Sequence, residues 1–377
     1  MQSLDEVLTR GVEKIYPDSD SLKSALNNKK LRIYCGFDPT GNTLHLGHVV
    51  NLLKLRAFHQ LGHDVFVVIG TFTARIGDPD KAETRTKLTE HEIAENIKDY
   101  IRQIRLFFPE VDDAHIKYNS DWLDSMDLSE MLEYLSYFTH AQIIERDLFQ
   151  ERLKKGSALA MSELMYPIMQ AIDSDKLDID LELGGADQTF NMLIGKELMR
   201  KKNNKEKFVL TNRLLVDEKG EKAGKTTGNM IAVSDTPKAI WDKIMQLPRD
   251  LIKPYMEGTT DFDTEKIERL TANLNDSANI NKTLTELANY FVEKIHGQKF
   301  ENLDTESVAT VKYQKNQNLL EIAIASGLFS SNSEAKNRIS EGATVDGEKI
   351  TDFNYQPQVT TDIEIFFGKK NRVLLKI

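Results

Sequence analysis

Hydrophobic residues along this chain recur at two different periods, and the changes from one to the other outline the architecture. Leu31–Cys35 and Asp64–Ile69 are short apolar runs bounded by Gly and Pro, the pattern of strands buried in a parallel sheet. Between them Val49, Val50, Leu52, Leu53, Leu55, Phe58 and Leu61 leave one broad apolar helical face, which Gly62 ends. Strand, helix and strand form a crossover unit. Residues 1–30 read as a short helical leader. Residues 90–165 are mostly helical and highly charged, which predicts a helical insertion. Alternation resumes with a helix near Ser162–Asp173, the acidic run L-D-I-D-L-E-L-G-G, and a helix from about Asp187 to Lys201. The fold class is therefore α/β, an open parallel sheet with ligands expected at the carboxyl ends of its strands.

Beyond Thr236 the pattern is all helical to about Val311, with helix breaks expected at Pro248 and Pro254. Asn318–Ala325 and Ser333–Glu341 then predict two short helices. Ala343–Val345, Asp362–Phe367 and Val373–Ile377 predict short strands, so the tail reads as a small α+β module. The expected domains are 1–235, with its insertion at about 90–165, then 236–311 and 312–377.

Composition changes this picture in three places. A chain of 377 residues has room for two or three domains with a sizeable core. The net charge of -10 argues against a general nucleic-acid coat, but residues 312–377 hold nine basic against eight acidic residues, leaving -11 for the rest. The single cysteine, Cys35, rules out a disulfide framework and a multi-thiolate metal cluster. The acidic, amphipathic N-terminus is unlike a signal peptide, and no apolar run approaches the length of a membrane span; a cytoplasmic protein is expected.

The candidate chemistry lies in four places. His45 and His48 flank Leu46-Gly47 just before the long helix, where unpaired backbone N–H groups and a partial positive charge suit a phosphate. Capping or core roles are the alternative for both histidines. The segment Lys222-Ala-Gly-Lys-Thr-Thr-Gly-Asn229 spaces Lys222 and Lys225 among glycines and ends its lysine run at Thr226, as a polyphosphate site would; it is not a Walker loop, and a plain surface loop is its alternative. Tyr166, Gln170 and Asp173 share one face of their helix, either a solvent-facing stripe or the wall of a polar pocket. The run Gly184–Gln188 opens the next helix. Asp78, in the loop after the Asp64–Ile69 strand, is a plausible ammonium anchor, although G-D-P turns are common.

The words Y-C-G-F-D-P-T, H-L-G-H, A-R-I-G-D-P, Y-P-I-M-Q-A-I-D, G-G-A-D-Q and K-A-G-K-T occur here in an order and spacing that resemble bacterial-type tyrosyl-tRNA synthetases. H-L-G-H and K-A-G-K-T resemble the two signatures of class I aminoacyl-tRNA synthetases, HIGH and KMSKS. The resemblance covers almost the whole chain. It implies a Rossmann-like, HUP-type doubly wound catalytic domain with a helical dimerisation insertion, then a helical domain, then a small module resembling an RNA-binding domain of a small-subunit ribosomal protein. The implied reaction activates L-tyrosine with ATP and passes the tyrosyl group to tRNA(Tyr). Its implied partners are tyrosine, ATP with Mg2+, tRNA and a second copy of the chain, with no tightly bound cofactor, no protein-built metal site and no membrane.

By the same resemblance, Tyr34 and Asp173 hydrogen-bond the substrate phenol. Asp78, Tyr166 and Gln170 hold its ammonium group, and Gln188 lies near its carboxylate. Gly36, Asp38, Thr40, His45, Gly47 and His48 contact ATP, with Gly185 and Asp187 near the ribose. Lys81, Arg85, Lys222, Lys225 and Thr226 stabilise the leaving pyrophosphate. Ala223-Gly224 stands where relatives carry Met-Ser, and Thr189-Phe190 where many carry a tryptophan. Two other readings stay open: a synthetase-derived RNA-binding protein without catalysis, and a tryptophan-specific relative.

Overall fold

A computed structural model describes residues 2–78, 89–216, 230–300, 307–329, 331–345, 347–357, 359, 362–368 and 371–376. They divide into two compact units, residues 1–298 and 299–377.

The first unit is built on a sheet in the order β1 (Val12–Tyr16), β6 (Phe208–Asn212), β5 (Leu181–Gly185), β2 (Arg32–Phe37), β3 (Asp64–Ile69) and β4 (Ile116–Tyr118). Neighbours from β6 to β4 run parallel; β1 closes one edge antiparallel. Short helices α1 (Leu4–Thr9) and α2 (Ser19–Asn28) flank β1, and α3 (Leu46–Gln60) joins β2 to β3. The central strands are buried on both faces, as their unbroken apolar runs require. On α3 the buried face comprises Val49, Val50, Leu52, Leu55, Ala57 and Phe58. Gly62, at φ +94°, turns the chain out of that helix.

The insertion consists of α4 (Glu90–Phe107), β4, α5 (Ser120–Leu123), α6 (Leu128–Ser136), α7 (His140–Ile144) and α8 (Asp147–Lys154). It leads into α9 (Met161–Lys176), which packs along α10 (Thr189–Asn203) beside β5. The unit ends with α11 (Pro237–Met245), α12 (Arg249–Thr259), α13 (Thr264–Thr271) and α14 (Ser277–His296). Helix α12 lies against α3.

Several elements differ from expectation. The leader contains β1, and the insertion contributes β4; both are short edge strands, where one side of the ladder needs no partner and the apolar signal is thin. Pro248 caps α12, but Pro254 lies inside that helix. Residues 236–311 are not all helical, because β7 (Ser307–Lys312) pairs in parallel with β11 (Asn371–Lys376). That strand therefore belongs to the second unit, which begins at 299 where sequence alone suggested 312. Helices α11 to α14, which follow the boundary expected at 235, fall in the same compact unit as the sheet.

The second unit has the strand order β7, β11, β10 (Ile363–Phe367), β8 (Ala343–Val345) and β9 (Glu348–Ile350), with helices α15 (Leu319–Ala325) and α16 (Asn332–Gly342). Leu319, Ile322, Ile339, Ile365, Phe367 and Val373 form a core of its own.

Candidate active site

The crevice follows from the register of the sheet. Between β2 and β5 only Ile33 with Leu181 and Tyr34 with Glu182 are paired. Beyond Tyr34 the two strands part, although β2 continues to Phe37 and β5 to Gly185. The chain leaves β2 for α3 on one side and β5 for α10 on the other, which makes this gap the switch point of the sheet. A cavity of about 800 Å³ occupies it.

Fourteen of the residues proposed from sequence line that cavity: Tyr34, Gly36, Asp38, Thr40, His45, Gly47, His48, Asp78, Tyr166, Gln170, Asp173, Gly185, Asp187 and Gln188. Lys81, Arg85, Lys222, Lys225 and Thr226 lie outside the described residues. Tyr166, Gln170 and Asp173 thus form a pocket wall and not a solvent-facing stripe.

His45 precedes the first turn of α3, and its backbone N–H donates to His48 Nδ1 at 3.1 Å. A neutral His48 ring that accepts on Nδ1 carries its proton on Nε2. The two imidazoles stack at 3.7 Å between centroids. Gly47 is required by that stack, since a Cβ there would stand 2.9 Å from the His45 ring. The strand-like stretch around Ile231–Val233 bridges to this turn: Leu46 N donates to Ile231 O at 3.1 Å, and Val233 N to Leu44 O at 2.9 Å.

Behind the histidines a polar network runs the length of the pocket. Asp38 accepts from Thr73 Oγ1 at 2.7 Å and from Tyr166 Oη at 2.8 Å. Asn119 Nδ2 donates to Thr73 Oγ1 at 3.0 Å and to Asp173 Oδ2 at 3.4 Å, and Trp122 Nε1 donates to Asp173 Oδ1 at 2.9 Å. Burial pushes the Asp173 carboxyl well above its usual range, against the pull of the Trp122 and Asn119 hydrogen bonds. Burial also raises the hydroxyls of Tyr34 and Tyr166, reinforced by the nearby carboxylates of Glu182 and Asp38 respectively. Both tyrosines therefore stay protonated. Burial raises the Cys35 thiol too, which removes it as a thiolate nucleophile.

Asp78 is held from both sides, by Arg146 Nη2 and by Gln188 Nε2, each at 2.8 Å. Asn191 Nδ2 steadies Gln188 through its Oε1 at 3.0 Å. At the buried end Tyr34 Oη donates to Glu182 Oε1 at 2.6 Å, and Gln170 Nε2 donates to the same oxygen at 2.8 Å. Glu182 forms a buried ion pair with Lys207. Sequence reasoning missed Asn119, Trp122, Arg146, Glu182 and Lys207. The only signal was a charged residue in the middle of an apolar strand run, at Glu182. Among the described residues no group of three His, Cys, Asp or Glu stands close enough to cage a metal ion, and no helix is long and apolar enough to cross a membrane.

This arrangement can hold a nucleotide at the histidine turn and a polar side chain at the buried end. Comparison with known proteins places the chain in a family. A family model described as "tRNA synthetases class I (W and Y)" matches residues 26–311. The chain is 34% identical to a tyrosine–tRNA ligase of Thermotoga maritima, over 97% of this chain and 95% of that one. It is 32% identical to that of Aquifex aeolicus, over 97% and 96%. It is 34% identical to tyrosine–tRNA ligase 2 of Vibrio cholerae over the full length of both. In fold it resembles a C-terminally truncated mitochondrial tyrosyl-tRNA synthetase of Coccidioides posadasii, at TM-score 0.66 and 24% identity, covering 79% of this chain and 89% of that one. It also resembles the Archaeoglobus fulgidus tyrosyl-tRNA synthetase complexed with L-tyrosine, at TM-score 0.62 and 20% identity, covering 79% and 99%. The chain belongs to the class I tRNA synthetases of the tryptophan and tyrosine family.

Proposed function

We propose that this enzyme is a tyrosine–tRNA ligase: it activates L-tyrosine with ATP and transfers the tyrosyl group to tRNA(Tyr). The observation that carries the choice of tyrosine is that Tyr34 and Asp173, both buried and both polar, line the same cavity as the His45–His48 turn. An indole presents no oxygen to such a pair; a phenol does.

In the first step the substrate carboxylate attacks the α-phosphorus of ATP, the bond to the bridging oxygen breaks, and pyrophosphate leaves with its electrons. No side-chain nucleophile takes part, so the protein's contribution is positioning and stabilisation of developing charge. The N-terminus of α3 and the Nε2–H of His48 are suited to phosphate oxygens. In this reading Asp78, Tyr166 and Gln170 receive the ammonium group, and Gln188 serves the carboxylate. Asp187 and Gly185 serve the ribose; Gly36, Asp38, Thr40 and Gly47 complete the ATP side. Lys81, Arg85, Lys222 and Lys225 supply the remaining charge for pyrophosphate, and Thr226 a hydroxyl. ATP enters as its magnesium complex, with the ion held by the phosphates. In the second step the 3′-terminal ribose of the tRNA accepts the tyrosyl group.

The enzyme is a cytoplasmic homodimer in this reading. Leu128 and Leu132, one turn apart on α6 of the insertion and 73% and 56% exposed, offer an apolar contact for the second copy. The small C-terminal unit supplies RNA contacts.

Exchange of labelled pyrophosphate into ATP, assayed with each of the twenty amino acids, tests the reading. Tyrosine-dependent exchange is expected. Exchange with tryptophan alone would assign the other branch of the family, and RNA binding without exchange would leave a binding protein.

A further inference from the structure

The groups behind Tyr34 form a hydrogen-bonded network in which Glu182, Lys207 and Ser174 have none of the roles given above. Lys207 and Glu182 are 0% and 2% exposed, and their ion pair lies beneath the Tyr34 ring. Lys207 Nζ also donates to Ser174 Oγ at 2.7 Å. An ammonium group can only donate, so Ser174 passes its own proton onward, to Tyr34 Oη at 3.2 Å or to Glu182 Oε2 at 3.4 Å. Tyr34 Oη gives its proton to Glu182 Oε1 at 2.6 Å. Its other acceptor within reach, the Gln170 carbonyl at 3.2 Å, also lies in the protein. Gln170 Nε2 adds a further donor to Glu182. The two ends are a lysine that only donates and a carboxylate that only accepts, and whichever way Ser174 turns, the Tyr34 proton has its acceptors in the protein.

We infer that Glu182, balanced by Lys207, is a positioning residue that draws the hydroxyl proton of Tyr34 into the protein, so that Tyr34 offers the substrate a lone pair and demands a donor. The inference rests on the tyrosine reading above. A protonated phenol meets the demand. Phenylalanine leaves the Tyr34 oxygen buried and unpaired, and a phenolate brings a second acceptor against it. Discrimination is thus set partly by Lys207, a residue behind the pocket wall. Gly195 on α10 is shaped to this network: a Cβ there would stand 2.4 Å from Lys207 Nζ and 3.3 Å from both Glu182 Oε2 and Ser174 Oγ.

The test uses the full-length chain in pyrophosphate exchange, comparing wild type, Glu182→Gln and the double variant Glu182→Gln/Lys207→Met. The double variant removes both charges together, so neither is left buried alone. For each, KM for tyrosine should rise roughly tenfold or more and kcat at saturating tyrosine should change little, while the ratio of kcat/KM for tyrosine over phenylalanine falls roughly tenfold or more. A double variant that melts cooperatively yet keeps both KM and the ratio would overturn the inference. The wild type carries an independent test. With ring-fluorinated tyrosines, whose phenols ionise at lower pH, KM should climb as each phenol ionises; a flat profile would overturn the inference without any variant. Absence of tyrosine-dependent exchange in the wild type removes the reading beneath it, whereas an active wild type with an unshifted ratio removes this inference alone.

Discussion

At the scale of single residues, His48 and Lys54 show two different uses of a polar group on one helix. His48 accepts the backbone N–H of His45 on Nδ1, so its neutral ring carries the proton on Nε2. In the proposed reaction, alanine at this position takes away one of the phosphate donors. Exchange should fall by roughly 10²–10³ in kcat with little change in KM for tyrosine, as steady-state exchange kinetics will show. Lys54 points the other way, buried against the carbonyls of Val7 and Arg10 at 2.6 and 2.7 Å, with no carboxylate among the described residues in its hydrogen-bond set. Burial, and then the nearby Arg10 charge, pull its ammonium down to about 7. Between that value and the ordinary lysine range the unfolded chain binds a proton that the native state has given up. Stability therefore rises with pH across this window, and charging Lys54 below it destabilises the fold. Urea midpoints measured from pH 6 to 10 should show this rise in the wild type. In Lys54→Met they should show a shallower slope and a gain at the acid end.

At the scale of elements, the β2–α3–β3 unit and the histidine turn were legible because their signals are local and strong. The apolar run of each strand, the helical face and its glycine stop fall within forty residues. The edge strands β1, β4 and β7 were not legible, because a short strand with one free side carries little apolar signal. The network behind Tyr34 was hidden for another reason. Glu182 and Lys207 are 25 positions apart and meet only because β5 and β6 are neighbours in the sheet, which no spacing in the sequence reveals. Asn119 and Trp122 reach Asp173 from the insertion by a similar route. Packing makes a sharp prediction at Gly195. Alanine in a helix interior ordinarily gains about 1 kcal/mol over glycine, yet here the added methyl group displaces Lys207. Gly195→Ala should instead lower stability by about 1–3 kcal/mol in thermal or denaturant unfolding, and raise KM for tyrosine as well.

At the scale of the molecule, two cores mean two separable tasks. Every described site residue belongs to the unit of residues 1–298, while the unit of residues 299–377 has its own buried cluster. A chain ended after Gln298 should retain tyrosine-dependent exchange within about threefold and lose roughly tenfold or more in tRNA charging, the activation step being indifferent to contacts made only with the nucleic acid. The C-terminal segment is nearly neutral on an acidic body, so few phosphates are neutralised there. The affinity for tRNA should fall with added salt along a shallow slope, read from filter binding between low and physiological ionic strength.

The parting of β2 from β5 just after Tyr34 and Glu182 has a consequence for anyone reshaping this enzyme to accept other amino acids. The last rung holding the two strands together is also the floor of the side-chain pocket. Carving space for a larger para-substituent by shortening Glu182 alone would strand a cation inside the sheet and loosen the rung at the same position. A productive library would vary positions 34, 182 and 207 as a set, admitting only combinations that keep the charge balanced, and would leave 195 as glycine until the lysine has gone.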